Sequence, residues 1–141
     1  MFILSCPLQI AFLFSLGFAV ADIRSRTVSA GLFAAYFIAG TVLACYSERE
    51  LTDILFCALP GFLLLILSFL SGGGIGTGDA LFFILSSLYL NLSRILFVFS
   101  VSFLTAGIMS LFLIIRRKTK PLPYLAFIPL PLFLLVFTGA V

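Results

Sequence analysis

The 141-residue chain has five acidic side chains, and two of them stand apart from the rest. Glu48, Glu50 and Asp53 crowd into one polar stretch, where a solvated loop accounts for them. Asp22 and Asp79 each sit alone at the edge of an apolar run. Ionisable groups at membrane depth are costly and usually functional. Two carboxylates held close together cannot both ionise easily, so one keeps its proton while the other is charged. That state suits amide hydrolysis. The charged carboxylate deprotonates a water, the protonated one polarises the scissile carbonyl, and the roles exchange as the amine leaves. Rival proteolytic chemistries lack their residues. The chain has no histidine, so neither a Ser–His dyad nor an HExxH zinc site can be built. Each aspartate also has a plain structural alternative. Asp79 is suited to cap a helix N-terminus, and Asp22 could pair with Arg24 or Arg26 as an interfacial anchor.

The residues before the second aspartate are Ser71-Gly72-Gly73-Gly74-Ile75-Gly76-Thr77-Gly78, too rich in glycine for a comfortable helix. Gly76 and Gly78 are candidate substrate-contact positions. Glycine permits positive φ and lets another backbone approach without a Cβ clash. Asp79 then falls at the start of a helix, where the dipole favours an anion.

The elements that carry these residues follow from polar punctuation. Apolar runs cover Phe2–Ala21, about Val28–Tyr46, about Ile54–Leu70, about Asp79–Leu90, and about Ile95–Ile115. A last run begins at Pro121 and Pro123 and continues to the C-terminus. Six helices are expected, the fourth short for a full span of about 20 residues. Loops after helices one, three and five hold Arg24, Arg26, Arg116, Arg117, Lys118 and Lys120, and the opposite loops hold only Arg49 and Arg94. The positive-inside rule puts the first set in the cytoplasm and both termini outside. Asp22 and Asp79 then share the cytoplasmic edge. The basic stretch Arg116–Lys120 is read as a topology signal in contact with anionic lipid.

Composition agrees with an all-α, multi-pass protein of the cell membrane. Hydrophobic residues make up 63% of the chain and charged residues 9%, with a mean hydropathy of +1.34, against roughly 25% charged in soluble domains. One transmembrane domain over residues 1–141 fits this length. No nucleic-acid partner is expected, because no basic patch is interleaved with aromatics. Cys6, Cys45 and Cys57 form no CxxC, so neither a disulfide framework nor a metal site is expected, and no cofactor is implied. The first apolar run lacks a basic residue before it, which argues against a cleaved secretory signal.

Three segments carry a family resemblance. Asp22-Ile23-Arg24-Ser25-Arg26-Thr27-Val28-Ser29 resembles the surroundings of the first catalytic aspartate of type IV prepilin peptidases. Gly76-Thr77-Gly78-Asp79 resembles their Gly-x-Gly-Asp motif around the second, and Pro121-Leu122-Pro123-Tyr124-Leu125-Ala126-Phe127 resembles the start of their last helix. Order and spacing agree from about Ala21 onward. The resemblance implies a polytopic aspartic endopeptidase with Asp22 and Asp79 as its catalytic pair. Its substrate would be a prepilin or pseudopilin precursor, cut between a basic leader and an apolar helix at the cytoplasmic face. Leu81 stands where the family often has lysine, and Ser29-Ala30 where it often has Pro-Asn. Larger members carry an N-terminal region linked to N-methylation, which these residues do not include, so leader cleavage without methyl transfer is expected. Presenilin-like proteases share Gly-x-Gly-Asp but add a Pro-Ala-Leu motif not found here. Two other functions compete: a non-catalytic pilus-assembly scaffold, and a small carboxylate-dependent transporter. A transporter would need carboxylates deep within its spans, whereas all five here lie at helix ends or in loops.

Overall fold

In lipid a backbone must satisfy its own hydrogen bonds, so long apolar runs become helices. A computed structural model describes residues 6–25, 29–70, 76–115 and 127–138, and these form six helices. They are α1 (Cys6–Ser25), α2 (Ala30–Tyr46), α3 (Leu51–Leu70), α4 (Thr77–Ser86), α5 (Leu92–Ile115) and α6 (Pro129–Thr138). The chain is an all-helical membrane protein. Three helices, α1, α3 and α5, are long and apolar enough to cross a bilayer. With 10 residues, α4 covers about 15 Å, half of a hydrocarbon core of roughly 30 Å.

Local chemistry sets the helix bounds. Ser29 caps α2 by accepting the Leu32 N–H at 3.4 Å. Asp53 belongs to the first turn of α3 rather than to the preceding loop, where a carboxylate offsets the positive end of the helix dipole. Helix α1 runs through Asp22 to Ser25, a turn further than the polar residues suggest. Helix α4 stops at Ser86, four residues short of the expected Leu90. There the ladder tightens as Ser87, Leu88 and Tyr89 donate to carbonyls three residues back, a pattern that ends helices. The expected start of α1 at Phe2 and of the last helix at Pro121 both lie outside the described residues.

Helices α1, α2, α4, α5 and α6 close a ring in which each touches the next, and α3 packs on the outside of α4 and α5. The centre is aromatic. Phe18, Tyr36, Phe82 and Phe83 are all essentially inaccessible. Outward faces carry Leu13, Val20, Ile38, Leu63, Phe69 and Ile108 in the open, as expected of side chains that meet acyl chains.

Two features fix α4 from outside this aromatic centre. Gly61 of α3 lets the backbones meet. A Cβ there would lie 2.6 Å from the Ile84 nitrogen and 3.1 Å from the Ala80 carbonyl oxygen. At the other end of α4, Arg49 donates to the carbonyl oxygens of Ser87 at 3.0 Å and Leu90 at 3.1 Å. A Schellman turn aims it there. Glu48 N–H bonds the Cys45 carbonyl and Arg49 N–H the Ala44 carbonyl, closing α2 with Glu48 at φ 49°, in the left-handed region normally taken by glycine.

Two stability changes follow. Gly61→Ala should force α3 from α4 and cost about 1–3 kcal/mol, while Gly31→Ala, with open space around its Cβ, should cost nothing comparable. Glu48→Gly relieves a left-handed residue and should stabilise by about 1 kcal/mol. Unfolding in mixed detergent micelles reads both.

Candidate active site

Asp22 lies in the last turn of α1, half-buried, with Ile23 and Arg24 exposed beside it. Asp79 lies in the first turn of α4 and is 9% exposed. What brings them together is an aromatic contact one turn deeper. Phe18 precedes Asp22 by four residues, and Phe82 follows Asp79 by three, so each aromatic ring shares a helix face with its aspartate. The two rings meet edge to face, centroids 5.4 Å apart at 80°. Three chain reversals separate α1 from α4. A step from Phe18 toward the C-terminus of α1 and a step from Phe82 toward the N-terminus of α4 therefore go to the same end of the bundle. Burial acts most strongly on the Asp79 carboxyl, and the nearby charge of Asp22 adds to it. Phe33 packs on Phe18 at 4.8 Å and completes an apolar floor beneath the pair.

Asp79 is not the N-cap of α4. That position belongs to Gly76, which makes no side-chain capping bond. Asp79 stands three residues on, with its backbone N–H bonded to the Gly76 carbonyl at 3.1 Å. The glycines also differ from their expected use. Gly76 has φ −66° and ψ 126°, a conformation open to any residue, so positive φ is not the reason for glycine there. Space is: a Cβ on Gly76 would come within 2.9 Å of Asp79 Oδ2. Gly78 is inside the first helical turn, and a Cβ on it would meet only Phe33 Cζ, at an ordinary 3.9 Å. Within the bundle itself, the close backbone approach is made at Gly61 on α3, while Gly78 has room beside it.

Leu81 is 42% exposed. Two residues on from Asp79, it leaves α4 about 200° around the helix, so its side chain points away from the carboxyl. Glu48, Glu50 and Asp53 are exposed at the α2–α3 connection, where Glu50 accepts a bond from Thr52. Among the described residues no three His, Cys, Asp or Glu side chains gather as a metal site. The sequence positions Arg26–Val28, Ser71–Ile75, the basic stretch Arg116–Lys120 and Pro121–Ala126 lie outside the described residues.

Sequence reading missed Arg49, which it counted only as a loop charge. The signal was present but non-local. A short helix ending in Ser86-Ser87 exposes carbonyls that need donors, and the guanidinium that supplies one is 38 residues back in the chain.

The arrangement offers two carboxyls above an aromatic floor, one nearly withdrawn from solvent, at the meeting point of two helices. Cysteines introduced by Asp22→Cys and Asp79→Cys, with Cys6, Cys45 and Cys57 replaced by alanine, should couple through a short thiol cross-linker in native membranes. A control pair made by Asp22→Cys and Asp53→Cys should not couple, and equal yields would show that α1 and α4 do not meet as described.

Among known families, the model for the type IV leader peptidase family matches residues 9–111. No curated protein and no solved structure matches the chain.

Proposed function

Because the chain belongs to the type IV leader peptidase family, a family of proteases, we propose that it is an aspartic endopeptidase that uses Asp22 and Asp79 as one catalytic unit. It removes the basic leader from prepilin-type or pseudopilin precursors. The observation that carries the reading is the Phe18–Phe82 contact, which pins α1 to α4 one turn below the two aspartates and so brings Asp22 and the buried Asp79 to the same end of the bundle.

Mechanism follows from a shared proton. One carboxylate accepts a proton from water as the oxygen attacks the peptide carbonyl carbon. The other, protonated, donates a hydrogen bond to the carbonyl oxygen and stabilises the charge that forms there. The C–N bond of the tetrahedral intermediate then breaks. The carboxyl that took the water's proton gives a proton to the departing nitrogen, which leaves as an amine, while the leader leaves as a carboxylic acid. The apolar floor of Phe18, Phe33 and Phe82 keeps bulk water from competing for these hydrogen bonds.

In this reading the chain crosses the cytoplasmic membrane six times with both termini outside, and the aspartates sit at the cytoplasmic edge. The bias of Lys and Arg toward that side supports it. The substrate's apolar helix stays in lipid while its leader junction reaches the pair. The activity proposed is cleavage without N-methylation.

Asp22→Asn and Asp79→Asn should each lower cleavage of a prepilin-like peptide in proteoliposomes about 1,000-fold, with thermal stability near that of the parent. The mass of the new N-terminus reports any methylation. Full cleavage by either variant would overturn the catalytic assignment. Pilus assembly persisting in the double Asn variant would instead identify a scaffold.

A further inference from the structure

Asp79 meets Asp22 only if α4 keeps one rotation and one height, yet apolar rings alone tolerate sliding. A directional polar contact two turns along the same face of α4 removes that freedom. Ser86 is seven residues after Asp79, and seven residues return almost to the same side of a helix. Its hydroxyl donates to the Phe82 carbonyl oxygen at 2.7 Å, which leaves Oγ as an acceptor. Tyr36 of α2 is the donor to it, with its hydroxyl 3.0 Å from Ser86 Oγ. The order is therefore Tyr36 O–H to Ser86 to the Phe82 carbonyl. Tyr89 returns the link by donating to the Tyr36 carbonyl oxygen. The Tyr36 ring is stacked between Phe82, at 5.6 Å and 7°, and Tyr89, at 4.5 Å and 9°. Gly40, one turn along α2, makes room for Tyr89, because a Cβ there would stand 2.7 Å from Cε2. Tyr36 is 0% exposed and Ser86 2%, so neither bond can be replaced by water.

We propose that Tyr36 and Ser86 form a positioning pair that sets the register of α4 and so holds Asp79 opposite Asp22. Neither touches the reacting atoms. A slip of one residue would rotate Asp79 by about 100° and move it about 1.5 Å along the axis, and it would part Tyr36 from Ser86. The inference rests on Asp22 and Asp79 acting as the catalytic pair.

The test uses the full chain in proteoliposomes with Tyr36→Phe, which keeps the stacked ring, Ser86→Ala, and the double variant. Each single change should lower kcat about ten-fold with KM unchanged within about two-fold, because misplacement harms the chemical step more than substrate binding. The double variant should be no worse than either single, because both remove the same bond. Unchanged kcat, a loss in KM alone, or additive losses would overturn the proposal. A readout independent of catalysis is the cross-linking rate of Asp22→Cys with Asp79→Cys in native membranes, which Tyr36→Phe should slow several-fold. If the parent protein cleaves no prepilin-like peptide, the functional assignment fails while the cross-linking rate still decides the register. An equal rate with and without Tyr36→Phe would overturn it.

Discussion

The contact between Phe18 on α1 and Phe82 on α4 determines where the two isolated carboxylates can meet. It lies one helical turn below both aspartates and joins helices that share few other neighbours, since α1 leans on α2 and α6 while α4 leans on α2, α3 and α5. Edge-to-face rings fix separation and tilt better than aliphatic contacts do. Tyr36 extends the same stack from α2, so three helices converge on one aromatic unit. A charge on Asp79 is expensive in hydrocarbon, and the bundle places this buried carboxyl at the same end as the partly exposed Asp22.

Helix α4 is the element under most constraint. Its ten helical residues cover only about half of a hydrocarbon core, so the helix by itself cannot complete a crossing. The carbonyls of Ser87 and Leu90, in the turn that ends it, are taken up by Arg49, a connection residue turned inward by the left-handed Glu48. In a low-dielectric setting, each carbonyl left unpaired would cost several kcal/mol. Its outer side is held by backbone contact across Gly61, and its inner side by Tyr36 and Ser86. Three different kinds of interaction thus act on this short helix and the turn that ends it: close backbone packing, a charged cap and a directional hydroxyl bond. The helix that carries Asp79 is more closely specified than the long helices around it, whose outward faces need only be apolar.

The six helices and their order were legible in the sequence, because helix formation in an apolar chain depends on local residues. Runs of Leu, Phe, Ile and Val form helices wherever polar clusters do not interrupt them. Parity of the connections was enough to expect Asp22 and Asp79 at one end, and the segments around them carried the family resemblance. Tertiary structure alone decided the rest. It gave Gly61 a close backbone contact with α4, and it turned Arg49 from a loop charge into the cap of another helix. Those outcomes depend on atoms brought together from residues some 20 to 50 positions apart. Hydropathy reports how each residue prefers its solvent, but it carries no information about which face of one helix will meet which face of another.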